Sequence, residues 1–193
     1  MISYVDLLAT AETGDLIFAT GTSFFTKLIC EFTGINWSHA AVYVKGEDLG
    51  WEPGPWVWES TGTGARAVRF DHGYPPKVDS AAKSFFPHAG RIGWRAVSVE
   101  RTQEMFDRLR DHCSEHVGMP YEENKLEMFR ATGWASSLPR LANEHPDLSS
   151  LFCWEGAVAA LQAMGALAST RPPNSFSNQE LTQGRLPIIN GAV

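Results

Sequence analysis

Short apolar runs separated by turn-forming residues fill the first half of the chain. Several of these runs alternate apolar and polar positions, as strands with one buried face do. In the tightest connection, Gly62-Thr63-Gly64 joins two runs and favours antiparallel pairing. The strands predicted from this pattern are residues 16–19, 37–44, 56–61, 65–70 and 91–99.

Helical spacing of apolar residues dominates the second half of the chain. Thr102 precedes an amphipathic stretch and is expected to cap its first turn. A strand cluster followed by helices predicts an α+β fold. The other helical segments predicted are one that begins at Thr22 or Ser23, part of residues 126–141, a helix from about Ser150 to Gly165, and a short turn at residues 178–183.

Composition limits the function classes that fit. The chain has 193 residues, which suits one domain. It carries 16 Lys and Arg against 22 Asp and Glu, a net charge of −6, so no nucleic-acid partner is expected. No apolar run has the length of a membrane span, and residues 1–6 lack the basic start of a secretory signal. We therefore expect a cytoplasmic or virion-associated protein without a signal peptide.

Three cysteines compete for the role of a reactive thiol, and they are too few for a disulfide framework. Cys30 and Cys113 fall on apolar helix stripes and are expected to be small buried hydrophobes. Cys153 lies in the first turn of a predicted helix, where free N–H groups and the helix dipole favour a thiolate. Because the thiolate is the nucleophilic form, Cys153 is the candidate nucleophile. A structural cysteine at a helix start is the alternative.

A metal-binding pattern is present beside Cys113. His112 and His116 are four residues apart on the Thr102 helix, and this spacing can offer two ligands to one ion. No second ligand cluster lies nearby in the sequence, so two solvated histidines are expected instead. No metal and no other cofactor is predicted.

A thiol nucleophile needs a base, and the base needs a group that orients it. His39 is the candidate base, because a strand backbone holds its ring rigidly. Glu59 lies in an otherwise apolar strand. A hairpin centred near Leu49 would place Glu59 directly opposite His39, with Cβ atoms about 5 Å apart. A buried structural histidine and an acid on a solvated face are the alternatives.

The order of these residues resembles a known family. The chain is similar to the circularly permuted branch of the NlpC/P60 superfamily, the YiiX/YaeF-like papain-fold hydrolases. In that branch the cysteine helix follows the histidine strand, as Cys153 follows His39 here. The matching pieces, spread over residues 14–183, are Gly14-Asp15-Leu16-Ile17-Phe18, Trp37 to Val44, Trp58-Glu59-Ser60, Gly118-Met119-Pro120-Tyr121-Glu122, Phe152 to Val158, and Pro173 to Leu181.

The resemblance implies a permuted papain-like fold, in which an antiparallel sheet or partial barrel packs against helices. It implies one domain over residues 1–193, with insertions around residues 71–90 and 124–148. The activity implied is that of a cysteine peptidase or amidase that forms an acyl-enzyme thioester. Its substrate would be a peptide or a peptidoglycan-like molecule.

The resemblance also implies roles for particular side chains. The catalytic triad would be Cys153, His39 and Glu59. Tyr121 is placed near the site by analogy, and Trp37 shares the predicted face of His39, so both are expected to contact the substrate. Trp154 stands where the family usually has a small hydroxyl residue, so it is expected to narrow the mouth of the site and to contact the substrate.

A second function class stays open on the sequence alone. The same fold with a weakened site would serve as a binding or structural module, for example in a phage tail, with a partner in a larger assembly. Serine hydrolysis is disfavoured because no Gly-x-Ser-x-Gly segment is present. Nucleotide binding is disfavoured because Gly62-x-Gly64 lacks a third glycine and a following helix.

Overall fold

The computed structural model describes residues 4–21, 36–70, 89–120, 153–176 and 178–183. The helix expected to begin at Thr22 or Ser23, the helical part of residues 126–141, Cys30 and Tyr121 lie outside these ranges. In the described residues the chain forms five strands and four α-helices. They are α1 (Tyr4–Thr10), β1 (Leu16–Gly21), β2 (His39–Lys45), β3 (Pro55–Thr61), β4 (Gly64–Arg69), β5 (Ala89–Arg95), α2 (Gln103–His116), α3 (Cys153–Met164) and α4 (Asn178–Gln183).

The five strands form one antiparallel sheet with the order β4-β3-β2-β1-β5. Strands β2, β3 and β4 follow one another in both sequence and space, as consecutive strands usually do. Ala41 of β2 pairs with Ile17 of β1 on one side and with Glu59 of β3 on the other. The predicted α+β class and the antiparallel strand cluster are therefore confirmed.

Apolar side chains cover both faces of the sheet. One face carries Ala40, Val42 and Val44 of β2, and helices α2 and α3 pack on it. The other face carries Ala41 and Tyr43 and is covered in part by α1. Because both faces are buried, β2 reads as a continuous apolar run rather than as a clean alternation.

A buried carboxylate joins the start of β1 to the chain that leaves β5. Asp15 is 1 % exposed, and it accepts hydrogen bonds from Trp94 Nε1 at 2.9 Å and from the backbone N–H of Val97 at 2.9 Å. Arg101 Nη2 donates to the same carboxylate at 2.5 Å, which balances its charge. Asp15 therefore holds the start of β1 against β5 and the residues that follow it.

Several element boundaries differ from the predicted ones. Strand β2 begins at His39 rather than Trp37. Strand β5 ends at Arg95 rather than Val99, because the N–H of Val97 donates to Asp15 instead of to the β-ladder. It begins at Ala89 rather than Arg91.

The helices agree with their predicted starts where these are described. Thr102 caps α2, and its hydroxyl accepts a hydrogen bond from the N–H of Met105 at 3.3 Å. Val117 follows the last residue of α2 and is 61 % exposed. Helix α1 was not predicted, because seven residues give too short a pattern. None of the described helices has the length and apolar character needed to cross a membrane.

Candidate active site

Cys153 is the first residue of α3, the helix that packs on β2 and β3. Backbone N–H groups in the first turn of a helix lack intrahelical partners, and the helix dipole is positive there. Glu155 lies in the same turn and matches that dipole with a carboxylate. Cys153 is only 5 % exposed, so its sulfur lies at the positive end of a helix and is largely shielded from water.

His39 is the first residue of β2, and its imidazole contacts both other candidate residues. Its Nε2–H donates to Glu59 Oε2 at 2.9 Å. The ring also forms a hydrogen bond with the Cys153 side chain. His39 is 4 % exposed and Glu59 is 1 % exposed, so the structure brings the three predicted catalytic residues together in a buried chain of contacts.

The hairpin register differs from the predicted one by two residues. Glu59 pairs with Ala41 rather than with His39, because the connection between β2 and β3 contains a 3-10 turn at Gly46–Leu49 and a left-handed Gly50. The shift is an even number of residues, so His39 and Glu59 still share a face of the sheet. They are diagonal neighbours, and their long side chains close the gap. The expectation of direct opposition was therefore wrong, whereas the contact was predicted correctly.

The environment of His39 strongly favours its charged form. Burial acts in the opposite direction, because it disfavours the imidazolium. Hydrogen bonds to Cys153 and Glu59, together with the negative charges of these two groups, outweigh burial and raise the pKa of His39 from 6.5 to about 9. His39 is therefore an imidazolium at neutral pH.

Arg66 is a fourth member of the cluster that the sequence analysis missed. It lies on β4 directly opposite Glu59, and its Nε and Nη2 donate to Glu59 Oε1 at 3.3 and 3.2 Å. A signal for it was present in the sequence. A two-residue turn at Gly62-Thr63 makes Glu59 and Arg66 cross-strand partners, and opposite charges directly across an antiparallel pair attract.

Trp37 and Trp154, the two tryptophans expected to contact substrate, are linked through Phe18. The Phe18 ring centroid lies 6.0 Å from Trp37 and 5.8 Å from Trp154. Trp154 is 8 % exposed, so its ring packs in the core rather than lining an open mouth. Trp37 lies over Gly93, where a Cβ would approach its ring to 2.6 Å. Their contact with substrate stays a prediction.

Tyr121 lies outside the described residues, but the chain just before it is fixed beside β4. The N–H of Ala65 donates to the carbonyl of Met119 at 2.8 Å, and the N–H of Gly118 donates to the carbonyl of Ala65 at 2.8 Å. A Cβ on Gly64 would lie 2.8 Å from the Met119 carbonyl oxygen. Gly118 and Met119 therefore lie beside β4, the strand of Arg66.

Of the remaining candidate groups on α2, His112 and Cys113 are buried and His116 is half-buried. Burial raises the pKa of Cys113 and so keeps its thiol protonated, as expected for a structural cysteine. The rings of His112 and His116 stack with centroids 4.2 Å apart. His112 is 8 % exposed, so the expectation of two solvated histidines is wrong for this residue. Within the described ranges, no group of three or more His, Cys, Asp or Glu side chains is arranged to hold a metal ion.

Comparison with known proteins adds evidence on the fold. No protein-family model matches the chain, and no curated protein matches it in sequence. A solved structure described as the metalloprotein YiiX from Escherichia coli O157:H7, DUF1105, matches with a TM-score of 0.53. The chain is similar in fold to YiiX. The match covers 92 % of this chain and 85 % of YiiX at 17 % identity, a level that supports the architecture alone.

Proposed function

We propose that the chain is a cysteine hydrolase, a peptidase or amidase that acts through an acyl-enzyme thioester. The observation that carries the proposal is the buried contact chain in which His39 touches both Cys153 and Glu59. A nucleophile, a base in contact with it, and a carboxylate that orients the base are the parts that thiol catalysis requires. The proposal includes a permuted papain-like fold, supported by the order of histidine strand before cysteine helix and by the likeness to YiiX.

In the first half of the proposed reaction, the Cys153 thiolate attacks the carbonyl carbon of an amide. The backbone N–H of Cys153, at the start of α3, is placed to stabilise the developing oxyanion. The carbon–nitrogen bond then breaks, and the His39 imidazolium transfers its proton to the leaving amine. The products of this half are a free amine and a thioester on Cys153.

In the second half, neutral His39 takes a proton from a water molecule, which attacks the thioester carbonyl. The carbon–sulfur bond breaks, the carboxylic acid product leaves, and the thiolate–imidazolium pair is restored. Glu59 holds the ring through Nε2 in both halves and stabilises its charged form.

The proposed substrate class is an amide bond in a peptide or in a peptidoglycan-like molecule. This class follows from the resemblance to the permuted NlpC/P60 proteins. Trp37 is the described aromatic residue nearest in sequence to His39 that keeps part of its surface exposed, and we propose it as a contact for the substrate.

The proposal predicts a selectively reactive Cys153. A small electrophile such as iodoacetamide, applied near pH 7, should label Cys153 in preference to Cys113, whose raised pKa keeps it protonated. His39→Ala should slow labelling of Cys153 about 100-fold, the usual scale for losing a general base. Peptide mapping by mass spectrometry measures the rate at each cysteine in the same sample.

His116→Ala provides the matched control, since this histidine lies on α2 away from the Cys153 contact chain. It should leave the labelling rate of Cys153 unchanged. Labelling of Cys153 at the rate of an ordinary free thiol, with no change in His39→Ala, would overturn the proposal and favour the binding-module alternative. Hydrolysis of peptidoglycan fragments, followed by mass spectrometry, then tests the substrate class.

A further inference from the structure

The two oxygens of the Glu59 carboxylate are divided between two cationic partners. Oε2 accepts from His39 Nε2 at 2.9 Å, whereas Oε1 accepts from Arg66 Nε at 3.3 Å and Nη2 at 3.2 Å. The side chain of Glu59 is 0 % exposed, and those of His39 and Arg66 are 6 % and 15 % exposed. Arg66 is thus part of the same shielded cluster and is not a surface arginine.

The sheet fixes this division by its strand order. Strand β3 lies between β2 and β4, so Glu59 has His39 on one neighbouring strand and Arg66 on the other. Glu59 and Arg66 are direct cross-strand partners in the β3–β4 hairpin. The tight turn from Thr61 to Gly64 sets that register, so Arg66 reaches Glu59 from a rigid position.

We infer that Arg66 is a positioning residue of this site, which holds the Glu59 carboxylate in the orientation that presents Oε2 to His39. The inference rests on the proposed function for its catalytic meaning. Arg66 acts through Glu59 and then through His39, without contact to the substrate.

Two physical arguments support this role. The terminal torsion of a glutamate is broad, so one hydrogen bond to His39 would leave the carboxylate plane poorly defined. Two N–H donors on the other oxygen define that plane, as outer partners do for metal-bound histidines. The charges around Glu59 also offset one another, since its carboxylate lies between the His39 ring and the Arg66 guanidinium. A buried carboxylate with a single partner would be costly to keep.

A purely structural role for Arg66 makes a different prediction. If Arg66 only pinned the β3–β4 hairpin, its loss would lower stability and leave the His39–Glu59 hydrogen bond intact in the folded protein. The proton on His39 Nε2 separates the two cases. When it is held in a hydrogen bond to a carboxylate in a shielded site, it gives a downfield proton resonance in NMR spectra.

The variant Arg66→Met keeps the apolar stem of the side chain and removes the donors. We expect the His39 Nε2–H resonance to disappear in this variant and labelling of Cys153 by iodoacetamide to slow about 10-fold, the lower end of the usual loss for an outer partner. Arg66→Lys keeps a cation on a flexible stem and should retain the resonance with an intermediate labelling rate. It also keeps the test open if Arg66→Met fails to fold.

Arg69→Met is the matched control, because Arg69 lies on the same strand but contacts Glu52 and the Pro53 carbonyl. It should change neither the resonance nor the labelling rate. A double-mutant cycle with Glu59→Gln tests whether Arg66 acts through Glu59. In the Glu59→Gln background, Arg66→Met should leave the labelling rate of Cys153 nearly unchanged.

Three outcomes would overturn the inference. In the first, folded Arg66→Met keeps both the His39 Nε2–H resonance and the wild-type labelling rate of Cys153. In the second, this variant keeps the resonance while its labelling rate falls. In the third, Arg66→Met lowers the labelling rate equally in the wild-type and Glu59→Gln backgrounds. The resonance does not depend on a reactive thiol. Suppose that Cys153 of the wild-type protein labels like an ordinary thiol, while the His39 Nε2–H resonance is present in the wild-type protein and lost in Arg66→Met. This result would overturn the proposed function and support the positioning role of Arg66.

Discussion

At the scale of single residues, the charge of His39 depends on its two anionic neighbours. Burial alone would lower its pKa, yet the contacts with Cys153 and Glu59 raise it to about 9. We expect the His39 ring resonances to titrate near pH 9 in NMR spectra. Glu59→Gln and Cys153→Ser should each move the midpoint downward, because each removes a negative neighbour. A midpoint near 6.5 in the wild-type protein would contradict this account.

The raised pKa of His39 makes the free energy of unfolding depend on pH in a defined direction. A histidine whose folded pKa lies above its unfolded value binds protons more tightly in the folded state. The stability that His39 contributes is therefore fully present below about pH 6.5 and is lost as the pH rises through about 9.

Residues also show where sequence reasoning reached its limit. The roles of Cys153, His39 and Glu59 were predicted from helix position, strand position and chain order, and the structure brings the three together. Arg66 was missed because a single arginine on a strand resembles any solvated residue until its cross-strand partner is known. Burial of Trp154 could not be predicted, because it depends on the Phe18 ring from a distant strand.

At the scale of elements, α2 carries an acid-sensitive contact. His112 packs edge-on against Trp58, and no described residue offers its Nε2 a hydrogen-bond partner. Burial and the charge of His116 lower the pKa of His112 to about 4. Because the unfolded chain binds this proton more readily, stability should fall as the pH drops from about 6.5 toward 4.

Denaturant unfolding at a series of pH values measures this effect. At about 1.4 kcal/mol per unit of pH, the loss traceable to His112 should reach about 2 kcal/mol at pH 5. His112→Phe keeps an aromatic ring against Trp58 and removes the titrating nitrogen, so its stability should depend less on pH. An equally steep dependence in that variant would assign the acid sensitivity to other groups.

The elements were predictable from the sequence to different degrees. Alternation and turn residues located the five strands found in the described residues, since each is a local pattern. The β2–β3 register was wrong by two residues, because the connection between these strands, residues 46–54, holds a 3-10 turn that no periodicity reveals. The end of β5 was also missed, since it depends on a side-chain acceptor, Asp15, that lies 82 residues earlier in the chain, at the start of the neighbouring strand β1.

At the scale of the whole molecule, one core joins the thiol helix to the rest of the fold. Cys153 of α3 and Cys113 of α2 belong to the same apolar cluster, and the two helices pack against each other. Both thiols are almost fully buried, at 5 % and 2 % exposed. The contacts that distinguish them, His39 for one and apolar packing for the other, exist only in the folded chain.

Unfolding should therefore change the two thiols in opposite directions. Cys153 would lose its activation and slow toward an ordinary thiol, while Cys113 would become accessible and accelerate. Pulses of iodoacetamide along a denaturant series, read by peptide mapping, should give the same midpoint for both changes. An earlier midpoint for Cys153 would show that the site opens before the core. If the midpoints coincide, the ratio of modified Cys153 peptide to modified Cys113 peptide reports the fraction of folded protein. Because both peptides come from the same sample, this ratio does not depend on protein concentration.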